Sequence, residues 1–205
     1  MTVLDLLENE PELTETDRKS FMSTINTLSQ STYHLLLNLL DWASKSKNRS
    51  NFETEVLNLN QLISENLSFF KSSATVKSIE MEFNQGQGIF LDGNKNMLQT
   101  ILRNLVSNAI KFTPEKGRIS IRTTKTNDKI QLQITDTGRG MDEKTLKSLH
   151  RFKQGESKQG THGEAGSGLG LVLCNEFVGF HKGTLRFESE PGKGTTAILE
   201  FRQAI

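Results

Sequence analysis

Asn104, Asn108 and Lys111 stand four and three residues apart, a spacing that puts all three on one stripe of a helix. An asparagine amide oxygen is a hard ligand suited to Mg²⁺, and a lysine ammonium is a point charge suited to phosphate. A second group, Asp136, Gly138 and Gly140, follows directly on an apolar run. A carboxylate at a strand end can accept from the exocyclic amine of adenine, and glycines two and four residues on admit close backbone approach. A third stretch, Lys153–Ser167, is polar and glycine-rich, and it leads through Gly166, Ser167, Gly168, Leu169 and Gly170 into an apolar segment. Main-chain amides at a helix N-terminus attract phosphate, and long loops in compact domains are commonly functional. Taken singly, the three also fit a solvated helix face, a plain strand-to-loop turn and a surface loop. Their joint presence is what suggests a nucleotide site.

Other nucleotide and metal signatures are missing. Gly166-x-Gly168-x-Gly170 lacks the G-x-G-x-x-G spacing and follows a polar loop rather than a strand, and no G-x-x-x-x-G-K-[ST] occurs. Asp92-x-Asn94-x-Asn96 opens like a calcium loop, but Met97 and Arg103 stand where glycine and glutamate are needed, so the segment reads as a helix N-cap. The 25 basic and 24 acidic residues nearly cancel, which gives no reason to expect nucleic acid or an anionic membrane surface as partner. Leu35–Leu40, broken by Asn38, is the longest apolar stretch and is too short to span a bilayer. No signal peptide opens the chain, and the single cysteine, Cys174, reads as a small buried hydrophobe. A cytoplasmic setting, alone or as part of a membrane-anchored sensor, is expected, with no direct membrane contact.

The elements that must position these groups follow from pattern. No glycine precedes Gly86, and eight of the 16 fall between Gly138 and Gly170, so the chain divides into a helix-favouring first part and a glycine-bearing remainder. Phe21, Ile25, Leu28, Thr32, Leu35, Leu39 and Trp42 form a heptad seam that calls for a partner helix. With Val3–Leu7 and a turn around Pro11, the seam suggests a partial antiparallel hairpin that pairs with a second chain. The polar Lys45–Ser50 reads as a join. Beyond it, helices are expected over Asn60–Ser72, Asn94–Phe112, Asp142–His150 and Gly168–Phe180. Strands are expected around Ile79–Phe83, over Arg118–Lys125 and Lys129–Asp136, and in a hairpin of Gly183–Glu188 with Thr195–Phe201. That order indicates an α/β sandwich, its sheet mixed but mostly antiparallel, with helices on one face.

Asn104 to Thr113, Asp136 to Gly140, Phe152 and Gly166 to Leu171 resemble, in order, the N, G1, F and G2 boxes of sensor histidine kinases. Gly183–Thr195 resembles the same family's terminal hairpin. The resemblance implies a Bergerat-type ATP site over 55–205, a linker over 49–54, and over 1–48 part of a dimerisation hairpin that lacks the phosphoacceptor. It implies that Asp136 meets the adenine amine, that Gly138 and Gly140 line the base, and that Asn108 holds Mg²⁺. Asn104 and Lys111 would lie near the phosphates, with Phe112 and Phe152 at the site. Residues 153–167 would form an ATP lid, and the amides of Gly166, Ser167, Gly168, Leu169 and Gly170 would meet phosphate. The implied cofactors are ATP and Mg²⁺. The implied partners are a second copy through the hairpin and a response regulator receiver domain.

The chain departs from that pattern in its histidines. The family's phosphoacceptor lies on the first hairpin helix, usually before an acidic residue. Here His34 lies on the second, outside the seam, and precedes Leu35. His150 stands where relatives often carry a lid-packing phenylalanine. His162 falls in the expected lid and His181 in a turn, both read as incidental, with a phosphate contact left open to His162. Truncation within the first hairpin helix accounts for the missing acceptor. Two readings follow: the catalytic core of a histidine kinase unable to phosphorylate itself, or a non-catalytic, ATP-binding regulatory or pseudo-kinase module. A gyrase- or chaperone-type ATPase ranks below both, because such relatives carry glutamate where Asn104 stands.

Overall fold

A computed structural model describes residues 53–126, 128–149, 160–161 and 170–204. The expected hairpin with its heptad seam, His34, most of the linker, His150, Phe152, His162 and Gly166–Leu169 lie outside the described residues. What is described falls within Glu53–Ile205, the second of two units into which the chain divides.

In chain order the elements are β1 (Glu55–Asn58), α1 (Leu59–Val76), β2 (Glu80–Asn84), β3 (Phe90–Gly93) and α2 (Lys95–Phe112). There follow β4 (Arg118–Thr126), β5 (Lys129–Asp136), α3 (Glu143–Leu149), α4 (Gly170–Phe180), β6 (Thr184–Glu190) and β7 (Gly194–Arg202). Five strands form one sheet in the order β2-β4-β5-β7-β6. Only the β2–β4 pair is parallel, and it is the pair joined through the α2 crossover, as parallel neighbours require. The expected mixed, mostly antiparallel sheet is therefore present.

Its strands earn their places by alternation. In β5, Ile130, Leu132, Ile134 and Asp136 are buried while the residues between them are half-exposed or exposed. Ile119, Ile121 and Thr123 of β4 and Leu199 and Phe201 of β7 are likewise buried, and the helices cover them. The opposite face is polar: Gln131 donates to Glu200 at 3.1 Å, and Gln133 donates to Gln131 at 2.9 Å. On α2, Leu98, Ile101, Leu102, Leu105, Val106 and Ala109, spaced three and four apart, are all buried. Each such side chain contributes about 1.5–3 kcal/mol, less for alanine, which fixes the rotation of the helix and hence the direction of its polar stripe. Cys174 is fully buried, and burial pushes its thiol well above the usual range, as suits an inert core residue.

One part of the architecture has no counterpart in the sequence reading. β1 and β3 form a separate two-stranded antiparallel sheet, with Glu55 opposite Gly93 and Asn58 opposite Phe90. Four-residue strands carry too little alternation to be seen. Among the described residues, no helix is long and apolar enough to cross a membrane.

Candidate functional site at the C-terminal end of α2

Asp136 is the last residue of β5 and lies in phase with the three buried residues before it, so its carboxylate enters the edge of the core. There its Oδ1 accepts from Gly138 N at 2.7 Å and from Thr195 N at 3.2 Å. Among the described residues, Oδ2 receives no hydrogen bond. Burial drives the carboxyl up to about 6, and the two main-chain donors only partly offset it. A buried carboxylate with one oxygen fixed and the other without a hydrogen bond among the described residues is suited to a ligand donor.

Gly138 and Gly140 are glycines for reasons internal to the protein. A Cβ at Gly138 would fall 2.5 Å from Asp136 Oδ1 and 2.6 Å from Phe112 O. Gly140 has φ +64°, and a Cβ there would fall 1.9 Å from the O atom of Glu190, the last residue of β6. The loop after β5 thus packs backbone-to-backbone against both the end of α2 and the terminal hairpin, and the missing side chains serve those contacts. Arg139 continues the pattern: its N–H donates to Phe112 O at 3.3 Å and its guanidinium lies 4.7 Å from the Phe112 ring centroid.

The stripe on α2 is engaged unevenly. Asn104 Nδ2 donates back to Thr100 O at 2.9 Å, and its Oδ1 would be 2.4 Å from a Cβ at Gly170, so α4 begins against it. Asn108, one turn on, is half-exposed, and its side chain makes no hydrogen bond among the described residues. Lys111 lies with Nζ 5.0 Å from the Phe112 ring centroid. That ring accordingly sits beside two cations, Lys111 and Arg139. The structure brings together Asn104 with Gly170, and Phe112 with Asp136–Gly140. Phe152 and the segment 166–169 lie outside the described residues. Arg139 was not singled out from sequence, since a lone arginine between two glycines gives no pattern.

A Mg²⁺ ion fits the donor set. Among the described residues no cluster of three acidic, histidine or cysteine side chains could cage a metal. The unengaged neutral amide of Asn108 matches a cation that keeps most of its waters and is carried chiefly by phosphate.

Both ends of α2 are held by residues that sequence reasoning passed over. At the C-terminus, Lys77 is buried, and its Nζ donates to Ile110 O at 3.0 Å, Lys111 O at 3.2 Å and Thr113 O at 3.4 Å. At the N-terminus, His181 Nε2 accepts from Asn94 N at 3.0 Å, and Nδ1 pairs with Phe177 O at 2.6 Å. His181, read as incidental to the chemistry, has a structural role: the ring joins the end of α4 to the cap of α2. Burial lowers its pKa, keeping the imidazole in the neutral form that can accept.

Comparison with known proteins accords with this geometry. The family model described as "Histidine kinase-, DNA gyrase B-, and HSP90-like ATPase" matches residues 93–205, more than half of the chain. The sensor-like histidine kinase SenX3 of Mycobacterium tuberculosis is 33% identical over 144 residues, covering 70% of this chain and 35% of SenX3. The chain spans between 22% and 35% of the length of the curated relatives SenX3, sporulation kinase C of Bacillus subtilis, and the Caulobacter vibrioides non-motile and phage-resistance protein. The catalytic domain of histidine kinase ThkA superposes with TM-score 0.65 at 25% identity, over 74% of this chain and 96% of that one. Full-length ShkA in complex with AMPPNP superposes with TM-score 0.68 at 24% identity, over 97% of this chain and 42% of ShkA. ThkA in complex with response regulator protein TrrA gives TM-score 0.72 at 21% identity, over 98% and 55%. The family match and the geometry agree, and this chain belongs to the histidine kinase-, DNA gyrase B- and HSP90-like ATPases, in its histidine kinase branch.

Proposed function

We propose that this chain binds ATP with Mg²⁺ at the C-terminal end of α2 and presents the γ-phosphate for transfer to a histidine, and thence to a response regulator receiver domain. The observation that carries the reading is Asp136, buried at the end of β5, with Oδ1 fixed by two main-chain donors and Oδ2 without a hydrogen bond among the described residues, in the loop that packs on the Phe112 end of α2. In this account Asp136 accepts from the adenine amine, and the loop Gly138–Gly140 flanks the base with Phe112. Asn108 holds Mg²⁺ by its amide oxygen, and Asn104 and Lys111 face the phosphates. Phe152 and Gly166–Gly170 complete the nucleotide contacts. Mg²⁺ supplies charge neutralisation on the phosphate oxygens, and the chain's own residues orient the nucleotide and exclude water. Phosphoryl transfer asks mainly for positioning and neutralised charge, and this inventory provides both.

The names of similar proteins support the rest. ShkA holds AMPPNP and ThkA holds a response regulator. The heptad seam in 21–42 supports a homodimer through 1–48, with 49–54 linking to the ATP-binding unit over 55–205, in a cytoplasmic setting. A second reading, a non-catalytic ATP-binding regulatory module, is favoured by the four histidines: none precedes an acidic residue on a first hairpin helix. Under the first reading the chain phosphorylates an acceptor in another molecule and not itself.

Calorimetric titration with ADP and AMPPNP, with and without Mg²⁺, tests the site. Micromolar, Mg²⁺-linked binding that disappears in Asp136→Ala is expected, and a folded chain that binds neither nucleotide would defeat both readings. Radiolabel from γ-labelled ATP appearing on an added dimerisation domain would separate kinase from binding module.

A further inference from the structure

Lys77 and Thr161 form a latch on the same helix end that carries the proposed site. Lys77 follows α1 directly and caps it, and its side chain is almost wholly out of solvent. Its ammonium donates to three carbonyls in the last turn and cap of α2, those of Ile110, Lys111 and Thr113, where the helix leaves its last C=O groups without internal partners and where its dipole favours a cation. The shortest bond of the four is to Thr161 Oγ1, at 2.7 Å. Thr161 belongs to the chain between α3 and α4, 84 residues away from Lys77. Its N–H donates to Lys111 O at 3.0 Å. Its hydroxyl proton is shared between Lys111 O at 3.1 Å and Thr113 O at 3.0 Å. The hydroxyl therefore accepts from the ammonium and donates to the carbonyls that the same ammonium contacts, a closed ring of bonds in which each group is satisfied by the next.

Two features single this arrangement out. Thr161 itself is exposed while its hydroxyl oxygen reaches the buried Lys77, so the latch can be opened without removing core volume. The carbonyl it grips is that of Lys111, the stripe residue assigned to phosphate. We propose that Lys77 and Thr161 are positioning residues for nucleotide binding, fixing the last turn of α2 and the chain at 160–161 in one arrangement before the ligand arrives. The proposal rests on the reading of the α2 end as a nucleotide site. With the latch open, part of the ordering of that turn falls to the binding step, and affinity drops.

The test is a double-mutant cycle read by calorimetry with MgADP, on Thr161→Val, Lys77→Met and both together, with thermal unfolding of each. Thr161→Val keeps the shape and the main-chain bond but removes the hydroxyl. It should weaken MgADP about 3- to 10-fold, the net effect of losing the hydroxyl's bonds to the ammonium and the carbonyls, while Tm falls by no more than about 4 °C. Thr161→Ser should restore affinity. In the Lys77→Met background the valine substitution should cost clearly less than it does in the parent, because the bond to the ammonium is already gone and only the hydroxyl's bonds to Lys111 O and Thr113 O remain to be lost. Unchanged affinity in Thr161→Val, failure of serine to rescue it, or simple additivity of the two substitutions would overturn the latch. Should Lys77→Met not fold, the valine and serine pair alone decides. Amide hydrogen exchange at Thr161 separates the two levels of the argument. If the wild-type chain binds no nucleotide, the functional reading fails. The latch as a structural device then stands only if Thr161→Val speeds exchange of its own amide.

Discussion

At the N-terminal end of α2 a main-chain N–H meets the lone pair of a neutral imidazole, whereas at its C-terminal end main-chain carbonyls meet an ammonium. Each choice matches the charge that the helix dipole leaves at that end: partial positive where His181 accepts, partial negative where Lys77 donates. The ends also differ in what is attached to them. The first is tied to Phe177 and, through Asn94 Nδ2, to Glu53 O at 3.2 Å. The second touches Asp136–Gly140, carries Lys111 and Phe112 and receives Thr161. Under the proposed function, the difference is that the helix is anchored at one end for the fold and presents the other to a ligand. Substitutions at the first end should then cost stability alone, whereas those at the second should change binding.

The largest separation is expected at Asp136. Asp136→Asn keeps an oxygen for Gly138 N and Thr195 N but removes the charge, and should weaken nucleotide binding by about 100-fold, the loss of a charge-assisted hydrogen bond. Because the folded carboxyl is raised to about 6, its ionised form opposes folding, so this destabilising contribution is full above pH 6 and fades as pH falls toward the unfolded value of 3.8. The asparagine variant should therefore be more stable than the parent at pH 7.5, by on the order of 1–2 kcal/mol in a denaturant titration. Lys77→Met comes next. It should lower unfolding free energy by about 2–4 kcal/mol, since it leaves buried carbonyls without their donor, and should weaken nucleotide as well.

At the other end His181→Phe should cost about 1–2 kcal/mol through the orphaned Asn94 N–H, with nucleotide affinity within about twofold of the parent. The two ends also respond oppositely to acid. His181 titrates below its ordinary 6.5, so the stability it lends is present above that pH and lost as pH falls through it, against the gain from Asp136. Measured in the Asp136→Asn background, the fall in Tm on acidification from pH 7 should therefore be steeper than in the parent, and should shrink when His181→Phe is added. Asn94→Ala, which removes the side chain that accepts from Met97 N at 3.1 Å, should cost about 1 kcal/mol and leave binding untouched.

Much of this was legible in the residues themselves. The 3–4 spacing on α2 and the alternation in β5 place the stripe and Asp136 because burial of neighbouring isoleucines and leucines leaves no other phase. The order of helices and strands followed from the same periodicities. What was not legible depends on contacts distant in sequence. Lys77 and His181 look like surface residues until α1 and α4 bring them 33 and 87 residues along the chain to the ends of α2. Thr161 has no pattern around it at all. The glycines after Asp136 were read as room for a ligand, yet the atoms that exclude their Cβ are those of Phe112, Asp136 and Glu190. The β1–β3 sheet was too short to be periodic.

The most direct test is the map of amide chemical shifts on adding MgADP to isotope-labelled chain. Shifts concentrated at Asn108, Lys111, Phe112, Gly138, Gly140 and Thr195, with Asn94 and His181 unmoved, are the predicted result. Shifts centred on Asn94 and His181, or none on a folded chain, would contradict a nucleotide site at the C-terminal end of α2.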